Sequence, residues 1–186
     1  MKLIVTGTFM LAAVAFAQSA DPATIAQRKE NQQDRIANGV QSGQLTAGET
    51  KTIESKEANL NRETRDDRQA NGGKLTGQEK QQINTQQNHL SNQIYADKHN
   101  ANTAHYGNNE VGQRRENQQD RIAQGIRSGQ LKPGQTAKLE NREQGINQQV
   151  HADRQANGGK LTGQEKQQIN HQQNQASRAI YRNKHN

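Results

Sequence analysis

Histidine is the side chain in this sequence best able to bind a transition metal, because the chain contains no cysteine. Of its six histidines, only His99 and His185 recur at equivalent positions of a repeat described below, each in the phrase Ile-Tyr-x-x-Lys-His-Asn. Such a metal usually takes roughly three or four nitrogen or sulfur ligands, so His105, a neighbouring domain or a second chain would have to complete the site. The candidate ligands of a divalent metal are therefore His99, His185 and His105.

The alternative for the recurring histidines is a structural role. Tyr95 and Tyr181 precede them by four residues, which places tyrosine and histidine on the same face of a helix. In this interpretation the tyrosines pack across the end of a helical bundle. The histidines then lie in the last helical turn, where a cation complements the helix dipole.

A turn in the first half of the chain has the spacing of a calcium loop without its ligands. Taking Asn38 as the first position puts Gly43 at the sixth and Glu49 at the twelfth, as in an EF-hand. The third and fifth positions are then Val40 and Ser42, where carboxylates or Asn belong. One carboxylate supplies too few oxygens for a hard cation, so the pattern favours a structural turn.

The sequence lacks the residue patterns that the common enzyme classes use for catalysis. No cysteine is available as a nucleophile, and residues 72–74, Gly-Gly-Lys, lack the spacing of a phosphate-binding loop. The paired carboxylates at 66–67 become Ala-Asp at 152–153 in the repeat. We therefore predict that the protein is not an enzyme, and that it has no cofactor apart from the divalent metal considered above.

A duplication organises the chain. Residues 27–100 (copy one) align without a gap with residues 113–186 (copy two), and about 47 of the 74 positions are identical. The intervening segment 101–112, ANTAHYGNNEVG, has the composition of a linker. We predict two helical repeat domains, 18–100 and 113–186, joined by 101–112.

Within each copy, the phrase Gly-x-Leu-Thr-x-x-Glu predicts the end of one helix and the start of the next. Thr and Glu form a capping box, the preceding Leu packs onto the first turn, and Gly adopts the left-handed conformation that ends the previous helix. The capping-turn residues are Gly43, Leu45, Thr46, Glu49, Gly73, Leu75, Thr76, Glu79, Leu161, Thr162 and Glu165. Copy two has Lys132 and Gln135 at its first turn, which predicts that this box is lost.

These turns predict three helices per copy, over 24–41, 47–70 and 77–98 in copy one, and an all-α fold of two small three-helix domains. The apolar residues follow a helical spacing; in copy one they are Ile36, Val40, Ile53, Leu60, Ile83, Leu90 and Ile94. With only 28% apolar residues, the core must be thin, so we expect the domains to pack on each other or on partner chains. The competing prediction is a disordered chain with nascent helix.

The two copies differ in ways that predict unequal stability. Copy two has Ala176 where copy one has Leu90, and it has the altered first turn. We therefore predict that copy two is the less stable copy.

The positive net charge predicts attraction to anions, but the distribution of charge does not indicate a nucleic-acid site. The net charge is +7, but 18 acidic residues are interspersed among 25 basic ones. Aromatic side chains, which usually stack on bases, make up only 3%. Nucleic acid is therefore a disfavoured partner.

The N-terminus has the layout of a signal peptide. Residues 1–17, MKLIVTGTFMLAAVAFA, combine a lysine, an apolar stretch and a small-residue cleavage site. We predict cleavage after Ala17, a mature chain with no transmembrane segment, and a periplasmic or secreted location. An uncleaved N-terminal anchor is the alternative.

The phrases DRIAxGxxSGQL, ANGGKLTGQEKQQIN and IYxxKHN resemble those of a group of exported bacterial proteins with tandem Gly-x-Leu-Thr-x-x-Glu helical units. The resemblance covers essentially the whole mature chain and implies export and helical architecture, but no activity. A looser likeness, in composition alone, is to the hydrophilins.

Together these features predict a non-enzymatic protein that has a binding or envelope-stress role. Its partner would be another protein, an envelope polymer or a second copy of itself. A metal-binding protein is the alternative, and a basic protein that binds polyanions is the third hypothesis.

Overall fold

The computed structural model describes residues 24–186, which form six α-helices and no strand. The helices are α1 (Ile25–Gln41), α2 (Ala47–Ala70), α3 (Gly77–Lys98), α4 (Glu110–Arg127), α5 (Pro133–Ala156) and α6 (Gly163–Lys184). The all-α class is confirmed, and the helices of copy one agree with the predicted ranges to within one residue. Residues 1–17, the predicted signal peptide, lie outside the described part. None of the described helices combines the length and the apolar character needed to cross a membrane.

Threonine caps begin all three helices of copy one. The side chains of Thr24, Thr46 and Thr76 each accept a hydrogen bond from the backbone N–H three residues later. In return, the side chain at that later position accepts from the N–H of the threonine, so each cap satisfies two backbone donors that the helix leaves free. The Thr24 box extends the capping pattern beyond the turns singled out in the sequence.

The turn between α1 and α2 reverses the chain through a left-handed glycine. Gly43 has φ of 70°, and the N–H of Leu45 donates to the carbonyl oxygen of Gly39 over 2.9 Å. This bond brings Leu45 back over the end of α1, where its side chain is fully buried.

The first turn of copy two keeps half of its capping box, which corrects the prediction that the box is lost. The backbone N–H of Lys132 donates to Oε1 of Gln135 over 2.9 Å. The Lys132 side chain caps nothing, because an ammonium group has no lone pair to accept a hydrogen bond. Pro133 occupies the first helical position, which suits its fixed φ.

The two copies pack against each other mainly through α2 with α5 and α1 with α4. Gly48 lies against Gln144, and the equivalent pair at the other end is Gly134 against Ala58. Helices α2 and α5 are therefore antiparallel, and the copies are related by an approximate twofold rotation. Helices α3 and α6 pack on the outside of this pair, each against the other two helices of its own copy.

The main hydrophobic cluster is shared between the copies. Seven buried residues come from each copy: Ile36, Ala37, Val40, Leu45, Ile53, Leu90 and Ile94, with Ile122, Ala123, Ile126, Leu131, Leu139, Ala179 and Ile180. A smaller cluster lies at the far end of each copy, around Ile83 in one and Ile169 in the other. Most of the thin apolar core is thus complete only when the copies are paired.

Buried glutamine side chains supplement this core. Nε2 of Gln32 donates to the carbonyl oxygen of Gln87 over 2.8 Å, and Nε2 of Gln87 donates to the carbonyl oxygen of Ile25 over 2.9 Å. Copy two repeats the arrangement with Gln118 and Gln173. These bonds join helices by polar contacts, which explains how a chain so rich in Gln forms a folded interior.

The segment predicted as linker, 101–112, contacts both copies, because its backbone bonds to copy one and its Tyr106 ring stacks with Arg115 of copy two. Helix α4 begins within it, at Glu110. The N–H of Ala104 donates to the carbonyl oxygen of Gly43 over 2.8 Å, and the Asn100 side chain, just before the segment, donates to Glu49 over 2.8 Å.

Candidate functional site: buried carboxylates between the copies

Four glutamates lie in the contact between α2 and α5. Glu54 and Glu57 belong to α2, and Glu140 and Glu143 are their equivalents on α5. A spacing of three residues puts each pair on one helix face, and the antiparallel packing turns these faces toward each other. Each of the four residues is at most 1% exposed. We call this set the glutamate layer.

The hydrogen bonds that the layer accepts come from glutamine. Nε2 of Gln119 on α4 donates to Oε2 of Glu140 over 3.0 Å, and Nε2 of Gln33 on α1 approaches Oε2 of Glu54 at 3.4 Å. The other oxygen, Oε1, of all four glutamates has no hydrogen-bond partner among residues 24–186. An ionised carboxylate with so few donors would be costly to bury.

Two basic residues face the layer without pairing with it. Lys29 on α1 acts electrostatically on Glu54 and Glu57, and Arg115 on α4 acts on Glu143. The two ion pairs of the described residues involve neither of them: Arg65 with Asp66, and Arg114 with Glu110. The layer therefore lacks direct counter-ions.

Burial raises the pKa values of the copy-one glutamates into the neutral range. The pKa of Glu54 rises to about 8, since burial and the nearby Glu57 outweigh the hydrogen bond from Gln33 and the charge of Lys29. The pKa of Glu57 rises to about 7, again because burial outweighs the charge of Lys29.

The copy-two glutamates respond in the same way. Burial raises the pKa of Glu140 well above its ordinary value, with further contributions from Glu143 and from Glu54 across the interface. Burial raises the pKa of Glu143 to about 7 against the charge of Arg115. The layer is therefore a set of carboxyl groups that favours the protonated state while the copies are paired.

The described residues do not assemble a metal centre. Across residues 24–186, no three His, Cys, Asp or Glu side chains are grouped so that they could hold a metal ion. The carboxylates of the layer are included in that statement. What the layer can do chemically is take up and release protons.

The recurring histidines each contact a neighbouring tyrosine. Nδ1 of His99 lies 2.7 Å from the carbonyl oxygen of Tyr95, to which it donates, and the two rings stack with centroids 4.2 Å apart. His185 and Tyr181 repeat this geometry. The expectation that the tyrosines pack across the bundle end is wrong, because they are 62% and 59% exposed. His105 contacts Oγ1 of Thr103 through its Nε2 at 2.7 Å.

The glutamate layer is the feature that sequence reasoning missed. Its signal is present in the sequence: Glu54 follows Ile53 directly, and Glu57 lies four residues after Ile53, on the same face. Both positions recur as glutamate in copy two. A charged residue within an apolar stripe is usually solvated at its edge, so only the packing of α2 against α5 distinguishes burial from exposure.

Comparison with protein families, with characterised proteins and with solved structures finds no match to this chain.

Proposed function

We propose that this chain is an exported, non-enzymatic protein of two tandem helical domains, with a binding or envelope-stress role that depends on acidity. Protons on the glutamate layer keep the two domains paired. The observation that carries the proposal is the burial of four carboxyl groups, without counter-ions, in the contact between the copies.

The direction of the pH effect follows from the raised pKa values. In the unfolded chain each carboxyl titrates near its ordinary value of 4.5, whereas in the paired structure Glu54 titrates at about 8 and Glu57 at about 7. The stabilising contribution is complete below pH 4.5, decreases as the pH rises above that value, and is lost once the pH has risen through 7 to 8. One pKa unit is worth about 1.4 kcal/mol, so the change amounts to several kcal/mol.

Separation of the two copies exposes the surface that binds the partner. Above the raised pKa values the carboxylates repel one another across the contact, and the faces of α2 and α5 that carry them become accessible to water. These faces combine glutamate and threonine with aliphatic side chains such as Ile53 and Leu139, which suits a partner protein, an envelope polymer or a second copy of the chain.

A comparison of two variant sets at several pH values tests the proposal. The first replaces the four layer residues by Gln, and the control replaces the exposed pair Glu30 and Glu116, which occupy one repeat position, by Gln. We expect the melting temperature of the wild type to fall between pH 5 and pH 9 and the radius of gyration to rise. The control should follow the wild type, and the layer variant should lose most of the pH dependence.

A wild-type protein that is equally stable at pH 5 and pH 9, or more stable at pH 9, would contradict the proposal. So would a layer variant whose melting temperature keeps the full pH dependence, because the titrating groups would then lie elsewhere.

A further inference from the structure

A cavity of about 700 Å³ lies beside the glutamate layer. Its walls are the start of α2, residues 103–106 of the linking segment, and the facing sides of α4 and α5. A volume of this size is typical of sites for small organic ligands.

The charged groups that line this cavity have one sign. Its ionisable side chains other than Tyr106 are Arg115, Arg154, His105 and His151, and its lining contains no Asp or Glu. A basic lining in a concave site concentrates positive potential and attracts anions.

Arg115 is buried without a partner for its charge. It is only 9% exposed, its Nε has no hydrogen-bond partner in the described part of the chain, and it belongs to neither ion pair of that part. Its guanidinium carbon lies 5.2 Å from the centre of the Tyr106 ring, which holds the group in place. Burying a guanidinium without a direct ion-pair partner is costly, so an anion placed against it would be bound favourably.

A second guanidinium faces the same space. Burial lowers the pKa of Arg115, and the positive charge of Arg154 lowers it further while Tyr106 and Glu143 oppose the change. Both guanidinium groups line the cavity and their positive charges repel each other, so an oxyanion bound near both relieves the repulsion. Planar guanidinium groups match the two oxygens of a carboxylate or phosphate.

The rest of the lining is rich in amides. Asn147 has an Oδ1 with no hydrogen-bond partner in residues 24–186, and Gln148 and Gln155 lie on the same helix and line the same cavity. Amide side chains donate and accept, so they suit hydroxyl groups beside the anionic group. A ligand with both features is a sugar that carries a carboxylate or a phosphate.

We infer that this cavity binds a small anionic saccharide, with its oxyanion between Arg115 and Arg154 and its hydroxyls on the α5 amides. The inference rests on the proposed binding role and names the class of ligand. Its ligand groups are not the four glutamates, although Arg115 also faces the glutamate layer.

Copy one supplies a matched control. Lys29 and Arg68 occupy the repeat positions of Arg115 and Arg154. Lys29 lines a smaller cavity of about 220 Å³ that also contains Glu30 and Asp34, so its charge already has acidic neighbours.

Isothermal titration calorimetry of the whole mature chain at pH 6 tests the inference, with glucuronate, glucose 6-phosphate, glucose and inorganic phosphate as probes. We expect at least one anionic sugar to bind more tightly than glucose and phosphate. Arg154→Gln should weaken that binding about tenfold or more, whereas Arg68→Gln and Lys29→Gln should leave it unchanged. The two anionic sugars distinguish a carboxylate from a phosphate ligand.

Three results would overturn the inference: binding of neither anionic sugar, equal binding of inorganic phosphate, or equal losses from Arg154→Gln and Arg68→Gln. Arg115→Gln should also abolish binding. Because Arg115 is buried, the half-exposed Arg154 provides the test if the Arg115 variant does not fold. The pH response of the melting temperature is a separate readout, so failure of the proposed function and failure of this site are distinguishable.

Discussion

Copy one and copy two share about 47 of 74 residues and the same three helices, yet they surround the same repeat position differently. Lys29 in copy one is half-buried and has acidic neighbours, whereas Arg115 in copy two is buried beneath Tyr106. The difference arises from residues 103–106, which cover one side of copy two. The covering segment, rather than the repeat itself, therefore creates the basic cavity.

The copies are alike where they meet. Each contributes seven residues to the shared cluster and two glutamates to the layer. An arrangement in which each half completes the other resembles a homodimer whose subunits have been fused into one chain. The copies therefore share the core of their contact, and they differ beside it, where residues 103–106 help to form the basic cavity.

The largest expected effect comes from separating the copies. Residues 24–100 and 101–186, expressed as two fragments, should each melt at a much lower temperature and less cooperatively than the whole chain, because each exposes its half of the shared cluster. Mixing the fragments at pH 5 should restore helical circular dichroism. The same melts test the prediction that copy two is the less stable copy.

Two independent, cooperative melts from the fragments would contradict the conclusion that each copy depends on the shared cluster. That result would show that each small cluster, around Ile83 or Ile169, is sufficient for its own copy. The contact between the copies would then be an association of two stable domains.

A smaller effect should follow from adding one carbon where the covering segment meets α4. A Cβ on Gly112 would lie 1.9 Å from the carbonyl oxygen of Tyr106. Gly112→Ala should therefore cost about 3 kcal/mol in the free energy of unfolding, or displace residues 103–106 and open the cavity. Urea denaturation measures the cost.

The equivalent position in copy one is the exposed Ala26, which provides the control. Ala26→Gly should cost only about 1 kcal/mol, the usual penalty of glycine in a helix. If Gly112→Ala proved equally mild and left Tyr106 in place, the covering segment would not be held as tightly as the contacts indicate.

The smallest effect concerns the first turn of each copy. Thr46→Ala should cost about 1 kcal/mol because it removes the side-chain acceptor for the N–H of Glu49. Lys132→Thr should stabilise copy two by a comparable amount, since it supplies the missing half of that box. Thermal melts of the two variants check these opposite signs, and a destabilising Lys132→Thr would show that the ammonium has another role.

The helices and turns were predictable because their causes are local. Thr46, Glu49 and Gly43 act within a few residues of one another, so the pattern of residues along the chain places the helix ends correctly. The half-retained cap at Lys132 was missed because Gln135 accepts a hydrogen bond as well as a glutamate would. The candidate sites were less predictable, since a glutamate such as Glu54 has the same local pattern whether it is buried or solvated.

The duplication, the helical class and the positions of the turns can be read from the sequence, because capping and apolar periodicity depend on near neighbours. The packing alone shows that the copies share one core, that four glutamates lie buried between them, and that Arg115 and Arg154 line one cavity. These features join residues that are distant along the chain. Their chemistry depends on the exclusion of water by packing, which the order of residues along the chain does not specify.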